Sequence, residues 1–262
     1  MRQKRYKLTI EYDGSRYRGW QIQPNVRTIQ GELITALRAV TGDPTVTCTG
    51  AGRTDAGVHA LGQVAHTDLV TRMTPEELCA AINAHLPADI HVLTAEPVSH
   101  RFDARKSAVA RSYLYQIALR RGAFVKDYAW WVQSSLDIAR MKRAGELLEG
   151  SHDFRSFAKP NPETNSYRVL LEEVRIEQHG ALVLIRLTAS HFLWHMARAI
   201  VGTLVRIGKG EIDDNTLLGY LHTPTPEPLK HLAPAAGLFL ERVYYKGDSR
   251  GGELIPTINL RS

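Results

Sequence analysis

In Tyr6–Tyr12 (YKLTIEY), Tyr6, Leu8, Ile10 and Tyr12 alternate with polar residues, the period of a strand with one covered face. Asp13-Gly14 stops it. The pattern then changes period: in Thr28–Val40, Ile29, Leu33, Ala36, Leu37 and Val40 fall at helical spacing, and Thr41-Gly42 closes the segment. A short strand is predicted over Thr45–Thr49, leading into the glycine cluster Gly50–Gly57, and a longer one over Val58–Asp68. Thr74–His85 reads as a second helix, with Thr74 as N-cap and Pro75 at its first position. Further on, Ser112–Leu119 alternates as a strand and Leu136–Leu148 has helical spacing. Val169–Gln178 and Ala181–Ala189 resemble a hairpin around His179-Gly180. Phe192–Ile207 is apolar nearly all round and predicts a long buried helix. Two successive strand-and-helix sets point to an α+β fold, each set an antiparallel sheet with helices on one side. The division is expected between residues 100 and 110, giving halves 1–105 and 106–262.

The length of 262 residues suits one large domain or two modest ones, and is enough to bury a core without disulfide or metal. Two cysteines, Cys48 and Cys79, are too few for a disulfide framework and point to a reducing compartment. The basic N-terminus meets Glu11 before an apolar signal region can form. No stretch approaches the roughly 20 apolar residues of a membrane span, and Arg186 and Arg198 interrupt the most apolar regions. A cytoplasmic protein is expected. The formal net charge is +6 and the pI about 9.4. Both suit a polyanionic partner without requiring one.

Three segments carry candidate chemistry. In GAGRTDAGVH, Gly50–His59, three glycines within eight positions permit a tight backbone path around Asp55, with Arg53 two residues before it. The glycine spacing is not that of a dinucleotide fingerprint, and no Lys-Ser/Thr follows as in a P-loop. The residues alone allow either a structural turn or a site built on a carboxylate. On the apolar helix, Arg198 cannot lose its proton and is costly to bury without an acidic partner. It is either half of a structural ion pair or the cation that holds a catalytic Asp ionised. Thirdly, RFDARKSAVARSYLY, Arg101–Tyr115, sets Arg101, Arg105, Lys106 and Arg111 among Phe102, Tyr113 and Tyr115. Such a mixture suits phosphates and unstacked bases, and equally a solvated loop running into a core strand. His191 and His195 have the spacing of a helical metal pair, without the intervening acid of a zinc-protease motif. No GxSxG elbow occurs. An RNA-binding protein without catalysis and a metal-dependent hydrolase are the competing classes.

Taken in order, these residues resemble the tRNA pseudouridine synthases that modify the anticodon stem-loop (the TruA family). The likeness runs through Tyr12-Asp13-Gly14, Tyr17, Gly19-Trp20-Gln21, Gln23 and Thr28-Ile29-Gln30. It continues through Gly52–Ala60 (GRTDAGVHA), Asn83, Leu86-Pro87, Asp89-Ile90, Phe102–Arg105 and Arg111–Tyr115. It ends with Phe154, Ser156-Phe157, Phe192–Gly202 and Gly237-Leu238. The resemblance implies two RRM-like (ferredoxin-like) halves flanking a central positively charged cleft, and a homodimer. It implies a cofactor-free, metal-free isomerase that converts uridines at tRNA positions 38, 39 and 40 to pseudouridine by base flipping. By the same resemblance Asp55 is the nucleophile, attacking either C6 of uracil or C1′ of ribose. Arg53 fills the space of the flipped nucleotide, Tyr113 packs on the uracil, Arg198 pairs with the aspartate, and Leu238 lines the base pocket. Arg101, Phe102, Asp103, Ala104, Arg105, Lys106 and Arg111 would contact RNA. In Lys159–Arg168, Glu163 and Thr164 stand where many relatives carry a basic residue.

Overall fold

The first strand, β1 (Lys4–Tyr12), buries Tyr6, Leu8, Ile10 and Tyr12 on one face, as its alternation requires. A computed structural model describes residues 2–162 and 164–260. After β1 comes α1 (Ile29–Thr41). Thr28 Oγ1 accepts from Gly31 N–H at 3.2 Å, and Gly42, at φ 69°, closes the helix in the left-handed region. β2 is only Thr49–Gly50, shorter than the predicted Thr45–Thr49. Asp43 Oδ1 accepts from both Thr45 N–H (2.8 Å) and Thr45 Oγ1 (2.6 Å), so the preceding residues are spent on a turn. β3 (His59–Leu69), α2 (Pro75–Asn83) and β4 (Ile90–Val98) follow.

β5 (Ala110–Ala118) is buried along nearly its whole length. Then come β6 (Trp130–Trp131), α3 (Ile138–Leu148, N-capped by Asp137) and β7 (Gly150–Asp153). β8 (Arg168–His179) and β9 (Leu182–Ala189) form the expected hairpin, with His179 opposite Leu182 and Gly180 at φ 59°. α4 (Met196–Gly208) starts four residues later than the apolar pattern predicts. His195 adopts φ 69°, which ends any continuous helix on its N-terminal side. α5 (Asp214–His222) was not read from the sequence; Asp213 caps it by accepting Thr216 N–H at 2.9 Å. β10 (Leu238–Tyr244) closes the series.

Contacts divide the chain into two compact units: Met1–Val109 with Phe239–Ser249, and Ala110–Leu238 with Arg250–Ser262. In the first, β1 lies antiparallel between β4 and β3, while β10 joins β3 in parallel through Phe239–His59 and Leu240–Ala60. In the second, β5, β9, β8 and β7 are successively antiparallel, and β6 adds to β5 in parallel. The described residues therefore form a mixed α/β fold with largely antiparallel sheets and five α-helices. No helix among them is long and apolar enough to cross a membrane.

Candidate active site

Asp55 sits on the irregular stretch between β2 and β3, half-buried, with Arg53 exposed beside it. The backbone there is fixed by the segment after β1. Trp20 N–H donates to Thr54 O (3.1 Å), Gly57 N–H to Tyr17 O (3.4 Å), and Val58 N–H closes a turn on Asp55 O (3.2 Å). Tyr12 Oη and Thr54 Oγ1 hydrogen-bond at 2.8 Å, both residues buried. Two glycines make this approach possible. A Cβ on Gly14 would stand 2.0 Å from Val58 O. One on Gly19, itself at φ 89°, would stand 2.5 Å from Thr54 O. Gly14 N–H also donates to His59 Nδ1 (3.1 Å), and that ring stacks on Phe239 at 4.6 Å. Asp55 thus projects from a backbone gripped on one side by residues 12–20 and anchored to β3 on the other.

The basic segment of the first unit is a compact turn. Asp103 Oδ1 accepts the N–H groups of Arg105 (2.9 Å) and Lys106 (2.8 Å), and Ser107 Oγ accepts Asp103 N–H (3.1 Å). Ala104 N–H donates to His66 Nδ1 (3.0 Å) and Tyr245 Oη donates to Ala104 O (2.9 Å). Phe102 packs against Tyr245, ring centroids 5.0 Å apart. Arg5, bidentate on Asp68, donates to the carbonyls of His100 and Phe102. Phe102, Asp103 and Ala104 therefore build the turn, while Arg101, Arg105 and Lys106 are exposed on it. Partial burial pushes the Asp103 carboxyl up, but the two backbone N–H donors and nearby cations hold it net below the usual range. Asp68 is lowered by its hydrogen bonds to Arg5.

In the second unit Tyr113 and Tyr115 both lie on β5 and are buried. Tyr113 meets Phe192 edge-on at 4.7 Å. Tyr115 donates its hydroxyl to Pro234 O at 2.9 Å and lies under Gly237, where a Cβ would come within 2.6 Å of the ring. Arg198, in the first turn of α4, donates Nε–H to Ala233 O at 2.7 Å, and Ala233 N–H returns to Arg198 O at 3.1 Å. Burial drives the Tyr115 hydroxyl well above its ordinary pKa, and the charge of Arg198 pulls the other way. Arg198, Tyr115 and the 233–238 segment are therefore one cluster, which ends at buried Leu238. Arg111, at the start of β5, donates to Ser190 O at 3.3 Å.

Several expectations change here. Arg198 is half-buried rather than enclosed, because it stands at the first turn of a helix that begins only at Met196. For the same reason His191 and His195 are not a helical i, i+4 pair. Among the described residues no group of three His, Cys, Asp or Glu is arranged to hold a metal ion. In the Lys159–Arg168 loop, Glu163 lies outside the described residues, and Lys159 Nζ sits 4.3 Å over the Trp194 ring. The grip of Tyr12, Gly14, Gly19 and Trp20 on the Asp55 loop does not follow from hydrophobic period. Its one signal was a second dense cluster of glycine and aromatic residues, YDGSRYRGW.

The first unit thus presents a carboxylate on a clamped loop, and the second an arginine–tyrosine cluster under a short loop. Comparison with known proteins shows the family to which the chain belongs. The family model described as tRNA pseudouridine synthase matches residues 8–105 and 144–246. Arg53, Asp55, Arg198 and Leu238 lie within those matches, and Arg111 and Tyr113 between them. The chain is 43% identical over 95% of its length to tRNA pseudouridine synthase A of Beijerinckia indica, covering 97% of that protein. It is 40% identical over 92% of its length to the protein of that name in Agrobacterium fabrum, covering 92% of it. For that of Nitrobacter hamburgensis the figures are 43% identity, 92% of this chain and 99% of the relative. The chain belongs to the tRNA pseudouridine synthase family and is an isomerase.

Proposed function

We propose that this chain isomerises uridines 38, 39 and 40 in the tRNA anticodon stem-loop to pseudouridine, with Asp55 as the nucleophile. The observation that carries the reading is the clamped backbone around Asp55 inside the family match. A carboxylate that must add to an electrophilic carbon and later depart has to be held in place by its backbone. In the reaction the N1–C1′ bond breaks and a C5–C1′ bond forms. The hydrogen on C5 leaves to water and N1 takes up a proton, so no redox partner or cofactor is required.

Flipping the base costs a few kcal/mol of unstacking. Arg53 occupies the vacated space, Tyr113 packs on the uracil and Leu238 lines its pocket. Arg101, Arg105, Lys106 and Arg111 take phosphates, on a turn shaped by Phe102, Asp103 and Ala104. Arg198 is the cation paired with the aspartate. In this reading residues 1–105 bring the nucleophile and 106–262 the tyrosine, arginine and leucine. They do so as RRM-like halves along a basic cleft, in a cytoplasmic homodimer.

The assignment of Arg198 has its own test. The Arg198→Met variant should lower kcat for tritium release from C5-labelled tRNA by about 100-fold or more while tRNA affinity stays within a few-fold of wild type. A kcat within about twofold of wild type removes Arg198 from that role. The nucleophile itself is tested by tritium release from tRNA labelled at uridine C5, as set out at the close of the Discussion.

A further inference from the structure

Thr54, between Arg53 and Asp55, is held three ways: its carbonyl accepts Trp20 N–H (3.1 Å), its Oγ1 bonds Tyr12 Oη (2.8 Å), and Gly19 packs against its backbone. Arg53 and Ala56 on the same stretch are exposed and Asp55 is half-buried, whereas Thr54 is buried. Tyr12 is the last residue of β1, just past a shift in the β1–β3 register between Ile10 and Tyr12. That shift places the end of the strand at the Asp55 loop, and the Tyr12 ring lies 6.2 Å from that of Trp20. A hydroxyl pair buried at this point ties the residue before the carboxylate to the rigid sheet. Phenylalanine would fill the same space as Tyr12, so packing alone does not account for the oxygen.

We propose that the Tyr12–Thr54 hydroxyl pair is a positioning contact for the reaction: it sets the rotation of the 54–55 peptide and with it the aim of the Asp55 carboxylate. The inference rests on Asp55 as the nucleophile. A displacement of about 1 Å at a reacting group costs up to about 100-fold in rate, while tRNA binding, spread over many phosphate contacts, hardly depends on it. The contact therefore acts on kcat and leaves KM alone.

The test compares Tyr12→Phe, Thr54→Val, Thr54→Ser and the double variant Tyr12→Phe/Thr54→Val, using tritium release from C5-labelled tRNA. Tyr12→Phe and Thr54→Val should each lower kcat by about 10-fold or more with KM within about twofold of wild type. Thr54→Ser, which keeps the oxygen, should stay within about threefold. The double variant should be no slower than the slower single one, because all three lack the same bond. Wild-type kcat in both single variants, a loss carried by KM, or losses that multiply in the double variant would overturn the proposal. Asp55→Ala in the same series separates the two claims. If it is inactive while Tyr12→Phe is unimpaired, the positioning role alone fails; if it is active, the nucleophile assignment fails.

Discussion

Gly202 lies on the buried side of α4, where a Cβ would stand 1.8 Å from His231 O. The chain at 231–233 therefore runs directly against the helix, and this contact holds Ala233 where Arg198 Nε reaches it. Gly202→Ala forces the two apart and is expected to destabilise by about 1–3 kcal/mol, read from urea unfolding midpoints; an unchanged midpoint would mean the loop moves away freely. A second residue-scale expectation concerns acid. Asp68 and Asp103 have folded pKa values below the ordinary carboxylate value of about 3.9. Their stabilisation is fully present above that value and is lost as pH falls through the lower folded values. Urea midpoints measured between neutral pH and about pH 3 should fall more steeply for wild type than for Asp68→Asn; parallel curves would show that the Arg5–Asp68 pair contributes nothing. At this scale the sequence exposed Asp55, because glycines crowd the chain around it. It concealed Tyr12 and Trp20, whose contacts with Thr54 span more than thirty residues and exist only after β1 and β3 pair.

Elements with local signals were legible to within a few residues. Thr74 and Glu77 form a reciprocal cap, with Thr74 N–H donating to Glu77 Oε2 (2.8 Å) and Glu77 N–H to Thr74 Oγ1 (3.2 Å), so the start of α2 is written in four residues. Thr74→Ala should cost about 0.5–2 kcal/mol in thermal or urea unfolding, and a loss below that range would show the cap to be idle. β4 escaped notice because its buried positions, Ile90, Val92 and Ala95, change phase at a register shift against Thr9–Ile10, and because Pro97 reads as a strand breaker. As a strand paired on one side only, β4 accommodates that proline. β10 was missed for a different reason: its parallel pairing to β3 is tertiary, and neither a turn nor a hairpin announces it. The late start of α4 depends on one left-handed residue, His195, which hydrophobic period cannot detect.

At the scale of the whole molecule, the chain leaves the first unit at Val109, returns for Phe239–Ser249 and leaves again. The alternating pattern suggests two consecutive halves and gives no sign of this second crossing. The last segment is bound to its own unit by polar contacts. Arg186, 3% exposed, donates to the carbonyls of Gly252 and Glu253, both at 2.9 Å. Gln116 donates to Thr257 Oγ1 and accepts Thr257 N–H, each at 2.7 Å. A variant ending at Ser249 leaves a buried guanidinium and a buried amide without these partners. It should lose about 3 kcal/mol or more, measured as the shift in unfolding midpoint. A shift of less than about 1 kcal/mol would show that water replaces the tail.

The proposed nucleophile, Asp55, has a direct test. Purified protein, without added metal or nucleotide, is incubated with tRNA tritiated at uridine C5, and tritium released to water is measured for wild type and for Asp55→Ala. The account predicts release by wild type, none above background by Asp55→Ala, and tRNA affinity of the variant within a few-fold of wild type. Tritium release by Asp55→Ala at a rate comparable to wild type would contradict it.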